Sequence, residues 1–185
     1  EIAQQLQSIY EYAFSDKYMV LMRARLGLNT EDKEAAGLMT ELLKSLAMQD
    51  TDYCNFFRAL CDFTSSDRPH SAENQDALMQ PPALRVFLAG NPRLVDWLNR
   101  YDQRLKQEDS DDSQRAIAMK KVNPKFILRN YLAQNAISAA EQGDFTEFNT
   151  LAMLLSSPFD EHPDYQKYAD EPPEWGQKLE ISCSS

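Results

Sequence analysis

The sequence predicts an all-α protein, an irregular multi-helix bundle finished by an extended, proline-containing C-terminal arm. Three observations carry that expectation. Apolar residues make up 43% of the 185 positions and are spread along the whole length, and only five glycines interrupt them. One segment after another also repeats its apolar side chains at i, i+3, i+4 and i+7, the spacing that lines one face of a helix. Such a composition supports a packed core rather than a disordered chain, and the length is sufficient to bury one.

The chain opens with Ile2, Leu6, Ile9, Tyr10 and Ala13 at helical spacing. Asp16 is a candidate break before a second helix carrying Met19, Val20, Met22 and Leu26, and Gly27 ends it. There is no initiating methionine, so two readings stand: a piece of a longer polypeptide, or the trimmed start of a complete one. Thr30 is the candidate cap of the next helix, with Glu31 and Asp32 suited to the positive end of its dipole and Leu38, Leu42, Leu43, Leu46 and Ala47 facing inward. Thr51 caps an aromatic helix over 52–63, in which Tyr53, Phe56, Phe57, Leu60 and Phe63 share a face and Arg58 pairs with Asp62 four residues on.

Residues 64–74 are polar and aperiodic, a loop and a candidate sub-boundary. Pro81 and Pro82 interrupt a helical stretch that resumes from Ala83 to Leu88, and Gly90-Asn91-Pro92 stops one helix and starts another. That next helix carries the stripe Leu94, Trp97, Leu98, Tyr101, Leu105; an acidic linker at 108–112 and a shorter helix at 113–122 follow.

Asn123 can then cap a helix whose first position is Pro124, running to Gln142 with Phe126, Leu128, Leu132, Ala133, Ala136, Ile137, Ala139 and Ala140 in one apolar arc. Arg129 falls in the middle of that arc. A guanidinium there must reach solvent or meet a carboxylate, which makes Arg129 the candidate buried structural charge. Gly143 closes the helix, Asp144 with Glu147 reads as a capping box for Phe145 to Leu155, and Pro158 ends the regular pattern. The expected division is therefore a helical domain over 1–158 and an arm over 159–185, whose Tyr165, Tyr168 and Trp175 suit a segment lying on a surface.

A net charge of −10 and a pI near 4.7 argue against nucleic acid and anionic membrane surfaces as partners. No window has the roughly 18 to 20 apolar residues of a membrane span, and no secretory leader pattern opens the chain. Cys54, Cys61 and Cys183 are an odd number, which favours a reducing compartment. A soluble, cytoplasmic location is the expectation.

No glycine-rich phosphate loop and no lysine-bearing strand occur. Asp160, Glu161, His162 and Asp164 are potential metal ligands in five positions, but no helix or strand would hold their geometry, so a solvated acidic loop outweighs a metal site. His70 has no nearby cysteine to activate. Cys54 and Cys61 are separated by about 10 Å of helical rise, beyond the ~7 Å Cα reach of a disulfide, and read as small core residues. Cys183, flanked by serines near the chain end, is the redox candidate, with an inert exposed thiol as the alternative.

Several segments together carry a resemblance: Met-Arg-Ala-Arg-Leu-Gly-Leu at 22–28, Asp-Tyr-Cys-Asn-Phe-Phe-Arg at 52–58, Asn-Pro-Lys-Phe-Ile-Leu-Arg-Asn-Tyr at 123–131, Trp175-Gly176, and Ile-Ser-Cys-Ser-Ser at 181–185. In these the chain resembles, over essentially its whole length, the C-terminal part of a bacterial selenoprotein O family protein, a kinase-fold protein adenylyltransferase. The resemblance implies an intact protein that transfers AMP from ATP, with magnesium or manganese, to Ser, Thr or Tyr hydroxyls of protein substrates. The family's nucleotide-binding lysine, its partner acid and its metal-binding Asn and Asp precede the matched region. Hence the resemblance implies no catalytic, nucleotide-binding or metal residue in this chain, no cofactor bound by it alone, and the N-terminal kinase-like region of the same protein as its partner. Cys183 matches the family's redox-active C-terminal position, and Arg129 falls in the most family-specific segment, where it is expected to pair with a carboxylate. The alternative is a free-standing acidic α-helical interaction module.

Overall fold

The computed structural model describes residues 2–48, 51–65 and 81–180, and these are all-α: eight α-helices, two short 3-10 turns and no strand. Two compact units result, Glu1–Asn123 and Pro124–Ser185. His70, Cys183 and most of the expected loop at 64–74 lie outside the described residues.

The first unit begins with α1 (Ile2–Leu26), which runs unbroken through Asp16. Asp16 is exposed, so its modest helix propensity is a small cost there. Gly27 ends α1 as expected, at φ +64°. Its N–H reaches the Ala24 carbonyl at 3.1 Å, and the Leu28 N–H reaches that of Arg23 at 3.1 Å, the paired bonds of a Schellman closure. A Cβ on Gly27 would stand 2.5 Å from Cγ of Arg115, so conformation and packing both demand glycine.

The caps of the next two helices differ from expectation by one or two residues. Asp32, not Thr30, caps α2 (Lys33–Ala47), accepting the Ala35 N–H at 2.9 Å; Asp52, not Thr51, caps α3 (Tyr53–Leu60), accepting from Asn55 at 3.0 Å. In each case a carboxylate at the positive end of the helix wins over a hydroxyl. After α4 (Pro82–Leu88), Asn91 starts α5 (Pro92–Gln107) as expected, accepting from Leu94 at 3.0 Å.

Leu94, Trp97, Leu98, Tyr101 and Leu105 are all buried, so the predicted stripe of α5 forms the spine of this core. Trp97 stacks on Tyr101 and donates its indole N–H to the Leu38 carbonyl at 2.8 Å, while the Tyr101 hydroxyl donates to the Leu26 carbonyl at 2.6 Å. Phe56 packs edge-on against Phe57, Phe87 and Trp97. α6 (Asp112–Lys120), capped by Asp111, completes the unit.

The second unit departs more from expectation. Residues 124–129 are not helical; the N–H groups of Lys125 and Phe126 both donate to the Pro158 carbonyl, at 2.8 and 3.1 Å. α7 (Asn130–Ala140) starts six residues later than predicted, with Arg129 at its N-cap. Asn123 does not cap it, because that side chain is wholly engaged elsewhere. The apolar arc is correspondingly narrower: Phe126, Leu132 and Ala136 are buried, while Leu128 and Ile137 are exposed.

Gly143, at φ +83°, closes the α7 end, and Asp144 accepts the Thr146 N–H at 2.9 Å ahead of α8 (Thr146–Ser156). The bond that would complete the capping box is replaced by another: Glu147 accepts from the Tyr168 hydroxyl at 2.8 Å. Residues 159–180 pack as part of this unit instead of standing apart as an arm. Tyr168 and Ala169 enter its core with Phe126, Tyr131, Leu132, Leu151 and Leu154. Trp175 meets Tyr131 edge-to-face, Gly176 lies so close to Tyr131 that a Cβ would come within 2.7 Å of its Cβ, and Asn130 donates to the Leu179 carbonyl at 2.8 Å. The division of the chain thus falls after Asn123, not at the expected 158/159.

Candidate functional site

Three of the segments singled out in the sequence meet inside the first unit, at Asn123. This residue is completely buried. Its Oδ1 accepts from Nε of Arg25 at 2.9 Å, and its Nδ2 donates to the Arg25 carbonyl at 2.8 Å. Its own carbonyl accepts from Nη1 of Arg58 at 2.9 Å, and the same nitrogen reaches the Lys120 carbonyl at 3.1 Å. The Arg25 guanidinium lies over the rings of Tyr53 and Phe57, at 4.8 and 4.5 Å, and donates to the Tyr53 hydroxyl at 3.2 Å. Each segment supplies what the next lacks: α1 ends with an unpaired carbonyl, α3 brings the ring faces and a second guanidinium, and the chain leaving α6 brings an amide able to donate and accept at once.

These bonds fasten the end of α1, α3 and the chain leaving α6 to one another. Burial pushes the Tyr53 phenol up, with the Arg25 charge pulling the other way, and burial likewise pushes the Cys61 thiol up, against the pull of the Asn123 amide. Cys61 is buried, its Sγ donating to the Phe57 carbonyl at 3.2 Å with the Asn123 amide 3.6 Å away. A thiol held protonated in this way is a poor nucleophile. Cys54 is half-buried and also free of any disulfide.

A second polar cluster, which the sequence reading did not find, is centred on Arg104 of α5, 5% exposed. It donates to Glu108 at 2.8 Å, to Glu34 at 3.1 Å, and to Asp32 and the Thr30 hydroxyl. Glu108 also accepts the Asn29 N–H at 2.7 Å and the Thr30 hydroxyl at 2.6 Å. Burial pushes the Glu108 carboxyl up, yet these donors together hold it below its ordinary value. Asp32 is lowered by the Ala35 N–H first and by Arg104 second. The i,i+4 spacing of Arg104 and Glu108 is the available signal; Glu108, expected in an acidic linker, is instead the C-cap of α5.

Arg129, the expected buried charge, is half-buried, and its charge lowers the Tyr131 phenol against the larger upward push of burial. The Asp160 to Asp164 stretch does not converge on a metal. His162 shares a 2.8 Å hydrogen bond with the Ser157 hydroxyl and meets the edge of Phe126, while Glu161 pairs with Lys125 at 3.2 Å. Among the described residues no three His, Cys, Asp or Glu side chains come together as metal ligands. Nor, among them, is any helix long and apolar enough to cross a membrane.

The model of the family described as protein adenylyltransferase SelO matches residues 1–156. The chain belongs to this family. The SelO match takes in all three segments that converge on Asn123. Relatives named protein nucleotidyltransferase YdiU agree with it. That of Aliivibrio fischeri is 39% identical over 176 residues, 95% of this chain and 34% of its own length. That of Myxococcus xanthus is 43% identical over 95% of this chain and 34% of its own length. That of Thiobacillus denitrificans is 40% identical over 100% of this chain and 36% of its own length. The chain therefore spans about a third of the length of the curated relatives it matches.

Proposed function

We propose that this chain is the C-terminal, non-catalytic helical region of a protein adenylyltransferase. In the intact protein a Ser, Thr or Tyr hydroxyl oxygen of a protein substrate attacks the α-phosphorus of ATP. A new oxygen–phosphorus bond forms, the α–β phosphoanhydride bond breaks, and pyrophosphate leaves while the hydroxyl proton passes to a base. Those groups, and the magnesium or manganese that accompanies ATP, belong in this reading to the kinase-like region of the same polypeptide.

The observation that carries the reading is the SelO match over residues 1–156 in a chain about a third the length of its relatives. The use of the resemblance-bearing residues supports it: Arg25, Arg58 and Asn123 bond to one another and to main-chain carbonyls, as residues that fasten the fold do. Cys183 is assigned the redox role, joining a cysteine of the kinase-like region as a disulfide when an oxidant removes two electrons and two protons from the pair.

Incubation of the intact protein with ATP labelled in the adenosine should transfer label to acceptor proteins, and the 185-residue chain alone should transfer none. Absence of transfer by the intact protein with either metal would overturn the reading. On a non-reducing gel the intact protein should show a thiol-dependent mobility shift that Cys183→Ser abolishes; a shift that persists in the variant removes Cys183 from the mechanism.

A further inference from the structure

α1 carries two apolar faces on opposite sides, and among the described residues only one of them is used within the first unit. At about 100° per residue, Met19, Met22 and Leu26 point into that unit's core. Leu6, Ile9, Tyr10, Phe14 and Leu21 centre on the opposite side, at 63%, 65%, 68%, 58% and 50% exposure. Along this second face Tyr10, Phe14 and Tyr18 form a stacked ladder, with ring centroids 6.0 Å apart at each step. Scattered exposed apolar residues are ordinary, but more than four contiguous helical turns rich in aromatic side chains have the composition of an interface centre.

The length of the family relatives points to what covers this face. About two thirds of the length of the family relatives lies outside these residues, so the largest available surface is the remainder of the same polypeptide. A second copy is disfavoured, since each chain carries a net charge of −10 and two such chains repel. Lys17 is the single charged residue within the face, so the complementary surface is apolar with an acidic group opposite Lys17.

We propose that the Leu6–Leu21 face of α1 is the docking surface for the part of the intact adenylyltransferase outside these 185 residues. This rests on the reading that the chain belongs to such a longer protein. The face is the seam by which the helical region is held to the rest of the molecule, and the Tyr10, Phe14 and Tyr18 ladder runs from its middle to one edge.

Two small substitutions on opposite sides of α1 test it in the intact protein. Ala13 lies on the apolar face; Ser15, two residues on, lies about 200° around the helix, and both are exposed here. With Ala13→Cys and Ser15→Cys made separately, alkylation by a soluble maleimide is followed by peptide-resolved mass spectrometry. The cysteine at 15 should react as a free thiol and the one at 13 at least tenfold more slowly, independently of protein concentration. Equal rates would overturn the proposal, whether α1 is exposed or frayed. Protection that grows with protein concentration would assign the face to a second copy and overturn it as well. AMP transfer, measured on the same preparations, reads the proposed function separately: protection without transfer supports the docking surface and removes the transfer reading, while transfer with equal rates removes the docking surface alone.

Discussion

The two units hold themselves together by different means. The first fastens its helix ends with guanidiniums: half-buried Arg25 and Arg58 at Asn123, buried Arg104 on the α2 entry, and buried Arg115, which donates to the Phe63 carbonyl at 2.7 Å. The second has a smaller apolar core, completed by residues from its own tail, with Tyr168 and Ala169 inserted between elements that precede them. A chain with a large core can place charged groups inside it, because carbonyls at helix ends and carboxylates at helix starts are there to receive them. A small helical pair has too little apolar surface of its own and recruits more chain.

The contrast is sharpest at Arg104. Arg104→Ala leaves Glu108 buried without its cation and opens the α2 entry, and should cost about 3 kcal/mol or more in denaturant unfolding. A loss below about 1 kcal/mol would show that the cluster behaves like an ordinary surface pair. Gly27→Ala should be nearly as severe, about 3 kcal/mol, since it combines a left-handed backbone with a clash against the Arg115 stem. Asn123→Ala should cost about 2 kcal/mol by leaving the Arg25 carbonyl and Nε unsatisfied.

Acid provides a milder probe of the same difference. Asp32 and Glu108 have folded pKa values below their ordinary ones, so their contribution is complete above the unfolded value and is lost as pH falls through the folded one. Stability of the first unit should hold from pH 7 down to about pH 5 and decline below about pH 4, and Glu108→Gln should flatten that decline. The smallest effect belongs to the second unit. Tyr168→Phe removes one hydrogen bond, to Glu147, and should cost about 1 kcal/mol or less while leaving the first unit's unfolding unchanged.

Periodicity made the helices legible. The α5 stripe from Leu94 to Leu105 and the aromatic face of α3 could be read directly, because a burial pattern is a one-dimensional property of a helix. Caps were legible only to within a residue or two, since Thr30 and Asp32, or Thr51 and Asp52, are both competent and tertiary partners decide between them. Asn123 shows the limit most clearly. An Asn-Pro pair satisfies the local rules for starting a helix, but the bonds that claim the side chain come from Arg25, 98 positions earlier. The Arg104 cluster was hidden for the same reason: three of its acceptors lie 70 or more positions away. The tail's aromatics did indicate a segment lying on a surface, yet nothing in their spacing showed that Tyr168 would complete a core.

In the proposed function these residues are architecture in an enzyme whose nucleotide site lies elsewhere in the polypeptide. Calorimetric titration of ATP with magnesium tests it most directly, on the intact protein and on the 185-residue chain side by side. Saturable binding by the intact protein and no heat of binding from the chain is the predicted result; saturable micromolar binding by the chain alone would contradict it.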